Sequence, residues 1–153
     1  MKSDIRLVPA RWRHINHVAN RMRAIDRREC EAFGKSPKAA LRDGLMRSDI
    51  AWTALVNERP EAMFGVVVES VLGGDGRPWF LGTDEVYRHG RALLMWGPGL
   101  ISRLHNSNLT LSNLVSSENG RAIRLLRKWG FEVEDQQQEF GAVKFQTFRK
   151  EPA

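Results

Sequence analysis

The spacing of hydrophobic residues predicts a short strand followed by two helices in the first third of the chain. Residues Ile5 to Val8 are typical of a strand. Apolar residues then recur every three to four positions from Trp12 to Ile25, which indicates an amphipathic helix that Gly34 can end. Ser36 is a suitable N-cap for a second helix that runs to about Arg47.

The middle of the chain has the pattern of three antiparallel strands. Residues Ile50 to Asn57 and Ala62 to Ser70 predict a hairpin, with its turn at residues 58–60. A glycine-rich turn from Gly73 to Arg77 leads into Pro78 to Leu81, which is entirely apolar. This composition predicts a central strand that is buried on both faces.

Helix and strand spacing alternate again in the last third of the chain. Residues Val86 to Asn106 predict a helix that is kinked or broken at Gly97 to Gly99. The remaining pattern predicts a strand, a helix and two closing strands around a QQQ turn region, at Leu109 to Val115, Asn119 to Trp129, Phe131 to Glu134 and Val143 to Arg149. The complete order predicts a single α/β domain over residues 1–153, with a mixed sheet covered by helices on both faces.

Composition supports a globular domain and excludes several other classes. The chain has 153 residues, of which 42% are hydrophobic and 27% charged, close to the averages for globular proteins. No apolar run approaches the ~18 residues that a membrane span needs, so we expect no membrane contact. Charges near the N-terminus stand where a signal peptide would be apolar, so we expect no secretion by that route. The single cysteine, Cys30, cannot form an internal disulfide and has no evident base beside it, so we expect an inert thiol.

Arginine supplies most of the positive charge. The net charge is +6, and 18 of the 24 basic residues are arginines. The planar guanidinium suits phosphates and carboxylates, so nucleic acid, a nucleotide cofactor or an acidic protein are candidate partners, although GC-rich codon usage explains the bias equally well. Two predicted helices carry basic stripes that would contact DNA or simply be solvated: Arg11, Arg13, Arg21, Arg23, Arg27 and Arg28 on the first, and Arg121, Arg124 and Lys128 on the last.

The segment from Ser116 to Phe131 carries the most informative motif. Asn119 can cap the following helix, Gly130 can adopt the left-handed conformation after it, and Phe131 returns the chain to the core. The motif reads SSENGRAIRLLRKWGF and is similar to the last motif of the GNAT acyltransferases. The resemblance implies a GNAT-like fold, with a largely antiparallel sheet of six to seven strands. The same residues also describe an ordinary strand, helix and strand unit.

The resemblance to GNAT enzymes is incomplete at the position of the proton donor. Members of the family commonly have a tyrosine seven residues after the asparagine, which protonates the departing thiolate of coenzyme A. This chain has Leu126 at that position, and its only tyrosine is Tyr87. A general acid would have to come from another residue or from water.

A second segment resembles half of the pyrophosphate loop of the same family. Gly90 and Ala92 match its glycine and its small residue, whereas Tyr87 stands where the family has arginine or glutamine. Backbone N–H groups at a helix start bind anions, and Arg88 and Arg91 can add side-chain contacts. The resemblance therefore implies acetyl-CoA as cofactor. The coenzyme-binding residues that it implies are Arg88, Gly90, Arg91, Ala92 and Asn119.

Carboxylates near the end of the predicted central strand, Pro78 to Leu81, are candidate general bases. Asp84 and Glu85 lie nearest, and Glu69 on the neighbouring strand comes next. A solvated acidic first turn of a helix explains Asp84 and Glu85 equally well. His14 and His17 lie one helical turn apart without a third ligand, so we expect surface residues and no metal site.

A closer resemblance extends over most of the chain. Residues Ala24 to Gly34, Ser48 to Val66, Pro78 to Leu94 and Ser116 to Phe131 resemble a divergent GNAT-like group, the phage proteins related to the internal virion protein of short-tailed phages. This resemblance implies a virion or virion-assembly protein with weak or absent catalysis, located in the virion or the host cytoplasm. Its partners would be other phage structural proteins or further copies of itself. The alternative is an acetyl-CoA-dependent N-acetyltransferase that acts on a protein or a small-molecule amine.

Overall fold

The chain forms one seven-stranded sheet with helices on both faces. A computed structural model describes residues 4–70, 72–105 and 108–152. The strands are β1 (Ile5–Pro9), β2 (Ile50–Val56), β3 (Arg59–Ser70), β4 (Asp75–Gly82), β5 (Thr110–Ser116), β6 (Glu132–Phe140) and β7 (Val143–Lys150). The helices are α1 (Ile15–Asn20), α2 (Ala24–Ala32), α3 (Pro37–Arg47), α4 (Asp84–Tyr87), α5 (Gly90–His105) and α6 (Gly120–Lys128). A 3-10 turn at Trp12–His14 precedes α1.

The strand order is β1-β2-β3-β4-β5-β7-β6, and only β4 and β5 are parallel neighbours. Their pairing is limited to Asp75 with Thr110 and Gly76 with Leu111. Beyond these residues the two strands separate in the middle of the sheet. The structure thus confirms the predicted mixed, largely antiparallel sheet.

Alternating residues of β3 and β4 divide the core between the two faces. Met63 and Trp79 pack with α1 and α3, whereas Phe64 and Phe80 pack with α4 and α5. This alternation follows from the two-residue period of a strand. None of the helices in the three described ranges combines the length and apolar character of a membrane span.

The first predicted helix is wrong in extent, because the chain breaks it into a 3-10 turn, α1 and α2. Between α1 and α2, Met22 forms an isolated antiparallel bridge with Thr83. The Arg23 N–H also donates to the Gly82 carbonyl over 2.9 Å. These bonds to the end of β4 take the place of helical bonds, and apolar spacing along the sequence does not encode them.

Both hairpin turns differ from the prediction. The β2–β3 turn is formed by Asn57 and Glu58, whose φ angles are 49° and 68°. The QQQ segment (residues 136–138) lies within β6 rather than in a turn, and Gly141 and Ala142 make the β6–β7 turn with φ angles of 52° and 64°. Positive φ at both central residues matches the twist of a two-residue hairpin, which decides where the chain reverses.

Two further predictions about the middle of the chain need correction. Residues Pro78 to Leu81 are partly exposed rather than fully buried, because they border the gap between β4 and β5. Gly97, Pro98 and Gly99 do not break the helix, since α5 continues through them. The Trp129 indole packs against Gly97 and supports α5 at this point. The predicted end of this helix at Asn106 falls outside the described residues.

Candidate active site

The separation of β4 and β5 leaves a slot in the sheet that is closed at both ends. At the inner end, the Asn113 side-chain amide donates to the Pro78 carbonyl over 2.8 Å. At the outer end, the Gly82 N–H donates to Asp26 Oδ2 over 2.9 Å, and the Gly82 carbonyl accepts from the Arg23 N–H. The slot is therefore only a few residues long.

Phe80 lies between these two closures with its backbone facing the slot. Pro78 and Gly82 direct backbone groups to this edge of β4, and alternate residues of a strand share an edge, so the Phe80 N–H and C=O point the same way. Within the described ranges, β5 pairs with β4 only at Asp75 and Gly76. The Phe80 N–H is thus free to donate to the carbonyl of a ligand.

A cavity of about 220 Å³ opens at the slot. Side chains from α2 and α3 line it on one side of the sheet, and side chains from α6 line it on the other. Its ionisable or hydrogen-bonding residues next to the outer end of the slot are Asp26, Glu29, Tyr87 and Asn119. Aliphatic and aromatic side chains make up most of the remaining lining, and Lys35, Asp43, Arg47 and Arg77 add further charged groups to it.

Two acidic residues one turn apart on α2 face this cavity. Asp26 is 3% exposed, and burial raises the pKa of its carboxyl to about 6, although the nearby Arg23 guanidinium (3.2 Å) opposes the shift. Burial, together with the smaller effect of the Asp26 charge, also raises the pKa of the Glu29 carboxyl to about 7. Glu29 is therefore close to half-ionised at neutral pH, as a general base should be.

Asn119 joins the Glu29 carboxylate to the start of α6. Its side-chain amide donates to Glu29 Oε1 over 2.9 Å. Its side-chain oxygen accepts from the Ala122 N–H over 3.3 Å, which confirms the predicted N-cap. Gly130 has a φ of 95° and Phe131 is 6% exposed, so the structure also confirms the predicted end of this motif.

Tyr87 lies against the same cavity, although it is distant in sequence from the motif that carries Asn119. The Arg23 guanidinium lies 4.0 Å from the centre of the tyrosine ring, and the Arg121 guanidinium lies 5.5 Å from it. Burial raises the pKa of the Tyr87 hydroxyl, so it remains protonated and can donate a proton. Leu126, which stands where GNAT enzymes commonly have a tyrosine, is one of the apolar residues that line the cavity.

The carboxylates predicted as bases occupy other positions. The Asp84 side chain is 82% exposed and lies 3.8 Å from Arg23 Nε. Glu85 accepts a hydrogen bond from Arg88 Nη1 over 2.9 Å, and Glu69 forms an ion pair with Arg77 at 3.2 Å. None of the three acids is part of the cavity lining described above. Their catalytic roles stay predictions.

The predicted coenzyme loop forms the start of α5. The helix begins at Gly90, and the Leu93 N–H bonds to the His89 carbonyl over 3.2 Å. The N–H groups of Gly90, Arg91 and Ala92 therefore belong to the first turn, where they lack intrahelical partners. Arg91 is exposed, as is Arg88, and Arg121 of α6 reaches the Tyr87 carbonyl at 3.4 Å. The structure thus brings a helix start and several arginines close to the outer end of the slot.

Sequence reasoning missed Asp26 and Glu29. In the sequence they belong to a run of charged residues that resembles a solvated helix face. Only the contacts of α2 with Gly82 and Asn119, which are 56 and 90 residues away, bury these carboxyl groups. The only sequence signal for them is their one-turn spacing on a helix that also contains Arg27 and Arg28.

Other candidate groups turn out to have structural partners. His14 is buried rather than at the surface, because its Nδ1 lies 2.8 Å from Thr53 Oγ1 on β2. The partly exposed His17 contacts the fully buried Glu61 at 3.1 Å. Burial raises the pKa of the Cys30 thiol to about 12, which makes the thiolate scarce. Across the described ranges there is no cluster of three potential metal ligands.

Three of the six arginines in the basic stripe of the first helical region form ion pairs. Arg21 pairs with Glu61 at 2.5 Å and Arg28 pairs with Glu118 at 3.1 Å. Arg23 is 7% exposed and contacts Asp26. These arginines hold the first helices against the sheet and α6, which reduces the charge that this face would offer to DNA.

Solved structures of acetyltransferases are similar to this chain over almost its full length. Ard1 from Thermoplasma volcanium superposes with a TM-score of 0.72 at 15% identity, covering 99% of this chain and 98% of that one. The ribosomal-protein-S18-alanine N-acetyltransferase from Escherichia coli has a TM-score of 0.68 at 18% identity, covering 98% and 95%. The aminoglycoside acetyltransferase AAC(6')-Ib in complex with coenzyme A has a TM-score of 0.64 at 16% identity, covering 97% and 95%.

These likenesses confirm the GNAT-like fold that the sequence predicts. At such low identity they show the fold alone. No protein-family model and no curated protein sequence matches the chain.

Proposed function

We propose that this protein is an acetyl-CoA-dependent N-acyltransferase that transfers an acyl group to an amine. The observation that carries the proposal is the position of Glu29, a carboxyl with a pKa raised to about 7, beside the slot that exposes the Phe80 N–H. A base of this kind and an N–H donor for a carbonyl are what aminolysis of a thioester needs.

Each residue at the slot has a separate role in this reaction. The thioester carbonyl accepts a hydrogen bond from the Phe80 N–H, which stabilises the negative charge that develops on its oxygen. Glu29 accepts the proton that the attacking amine loses as the C–N bond forms. Tyr87 donates its hydroxyl proton to the sulfur as the C–S bond breaks, in place of the missing tyrosine at Leu126. Asn119 orients Glu29 through its 2.9 Å hydrogen bond.

The start of α5 fits the phosphates of the donor. Gly90, Arg91 and Ala92 offer N–H groups of the first turn, and the exposed Arg88, Arg91 and Arg121 add positive charge. A Cβ atom at Gly90 would meet no atom within 4 Å, so space in front of this helix turn is open. Tyr87 occupies the leading position of this loop, and its side chain is buried. The side chain at this position therefore does not contact the phosphates of the donor.

Two of the similar structures support transfer to nitrogen. One is named for a protein alanine as its acceptor and the other for aminoglycosides. Each of these acceptors carries an amine. The cavity around Glu29 and Asp26 would favour a cationic amine approaching from solvent, which Glu29 then deprotonates.

Calorimetric titration with acetyl-CoA tests the proposal directly. We expect saturable binding, weakened at least tenfold by Gly90→Glu, because a carboxylate at the first turn of α5 repels phosphate. Gly99→Glu is the matched control, since Gly99 lies on the same helix and a Cβ there also meets no atom within 4 Å. Absence of binding at millimolar acetyl-CoA would reject the proposal.

A role in virion assembly is a second proposal, supported by the sequence resemblance to phage virion proteins. It would place the chain in the virion or the host cytoplasm, bound to other phage structural proteins, to further copies of itself or to DNA. Co-purification with particles or with a portal or tail subcomplex is the expected result. Consistent absence from both particles and assembly intermediates would contradict this role.

A further inference from the structure

A second cavity lies beside the slot, between the sheet and helices α5 and α6. Its volume is about 100 Å³. The β-strand residues that line it include Phe64, Pro78 and Phe80, and the helical residues include Leu100 and Leu126. We call this space the apolar cavity.

The lining of the apolar cavity has almost no polar group to offer a ligand. Trp96 of α5 and Trp129, which directly follows α6, contribute indoles to the lining, and the Trp129 Nε1–H already donates to the Leu93 carbonyl over 3.1 Å. An ion or a water molecule would find too few hydrogen-bond partners there. The chemistry of the lining therefore selects a hydrocarbon.

The apolar cavity adjoins the cavity that contains Glu29. Six residues line both spaces, and they include Pro78, Phe80 and Leu126. Phe80 is also the residue whose N–H faces the slot. A thioester carbonyl bound by that N–H would thus have the apolar cavity next to it, and Leu126 leaves no polar hydroxyl between the two spaces.

We infer that the apolar cavity binds the hydrocarbon chain of an acyl donor longer than acetyl. This inference rests on the proposed function, because it assumes that the thioester lies in the slot. An apolar cavity of about 150 Å³ holds the six carbons of benzene, so one of about 100 Å³ accommodates a chain of roughly four carbons. The preferred donors are therefore butanoyl-CoA to hexanoyl-CoA.

A donor series of increasing chain length tests this inference on the intact chain of residues 1–153. Acetyl-, butanoyl-, hexanoyl- and dodecanoyl-CoA are titrated in the calorimeter under identical conditions. Each buried methylene is expected to tighten binding about threefold, so the affinity should rise at least tenfold from acetyl to hexanoyl. It should fall again at dodecanoyl, because the cavity is then full.

The outcomes of the series separate this inference from the proposed function. Binding of acetyl-CoA with equal or lower affinity for hexanoyl-CoA would overturn the acyl-chain pocket and leave the N-acyltransferase in place. Binding that continues to tighten up to dodecanoyl would also overturn it, because an extended apolar surface, rather than a cavity of limited volume, would explain that trend. Failure of all four donors to bind would overturn both.

Substitutions at Leu100 connect the chain-length preference to the apolar cavity. Leu100→Phe fills the cavity and should reduce the ratio of hexanoyl-CoA to acetyl-CoA affinity at least fivefold. Leu100→Ala enlarges it and should move the preference to longer chains. Leu94→Phe is the matched control, because Leu94 lies on the same helix but is 40% exposed and does not line the cavity. Unchanged preferences in both Leu100 variants, with folding verified by thermal unfolding, would contradict the assignment.

Discussion

Glu29 on α2 accepts a hydrogen bond from the side-chain amide of Asn119 at the start of α6, over 2.9 Å and across 90 residues of sequence. The bond links the two faces of the sheet near the outer end of the slot between β4 and β5. It also fixes the carboxyl group that is best placed to remove a proton. The following predictions test what this arrangement does.

Replacement of Glu29 by glutamine should remove the general base. We expect Glu29→Gln to reduce kcat/KM for the amine by about 10²- to 10⁴-fold, the range for loss of a positioned base. The ascending limb of the pH–rate profile, with its midpoint near the Glu29 pKa of about 7, should disappear. Glu31→Gln is the control, since Glu31 is exposed on the same helix and should leave the profile unchanged. A retained limb near pH 7 in Glu29→Gln would assign the base to another group.

Glu29→Gln should also change how the stability of the protein depends on pH. The variant should be more stable relative to the wild type at high pH, where the wild-type carboxylate would be active as a base. The pKa of Glu29 is about 7 in the folded chain against 4.5 for a free glutamate, so the folded state holds the proton more tightly. Its contribution to stability is present below about pH 4.5 and is lost as the pH rises through 7. From pH 5 to pH 8 the wild type should therefore lose about 2 kcal/mol of unfolding free energy that Glu29→Gln does not lose. Urea unfolding of both proteins at the two pH values measures this difference. No difference between the two pH values would indicate an ordinary carboxyl.

Substitutions at Asn119 should separate its capping role from its effect on Glu29. Asn119→Ala removes the cap and should lower the free energy of unfolding by about 1 kcal/mol. Asn119→Asp keeps an oxygen for the Ala122 N–H but replaces the amide donor by a second negative charge near Glu29. It should therefore move the ascending limb of the pH–rate profile to higher pH. A profile that stays in place in Asn119→Asp would mean that the bond to Glu29 does not matter for its ionisation.

Tyr87→Phe tests the proton donor. Loss of the hydroxyl should lower kcat about 10- to 100-fold with little change in KM for the donor, because the ring and its contact with Arg23 are retained. Adding Leu126→Tyr to this variant places a hydroxyl at the position that the family commonly uses, and partial recovery of kcat is expected. Full activity of Tyr87→Phe at all pH values would show that water protonates the leaving group.

The Trp129 indole packs so closely against Gly97 that a larger residue does not fit at this position. A Cβ atom there would lie 2.0 Å from Trp129 Nε1, whereas one at Gly99 would meet no atom within 4 Å. Gly97→Ala should therefore lower the free energy of unfolding by about 2 to 3 kcal/mol, and Gly99→Ala should raise it by about 0.5 to 1 kcal/mol. Chemical unfolding of both variants checks the pair, and equal effects would contradict the packing of Trp129 against α5.

Local chemistry made much of this protein predictable from its sequence. The cap at Asn119, the left-handed Gly130 and the return of Phe131 to the core depend on residues within one turn of each other. The helix start at Gly90 depends on similarly short-range signals. The spacing of hydrophobic residues predicts the order of most strands and helices. That order in turn predicts a sheet with helices on both faces.

The chemistry at the slot was decided by tertiary structure. Asp26 and Glu29 have the sequence pattern of solvated residues, and only contact with Gly82 and Asn119 removes them from water and raises their pKa values. Tyr87 lines the same cavity, and its ring contacts the guanidinium groups of Arg23 and Arg121, which come from distant parts of the sequence. Periodicity along a chain describes which residues share a face of their own element. The desolvation of a carboxyl group depends on which distant element covers that face, and this information appears only when the chain is folded.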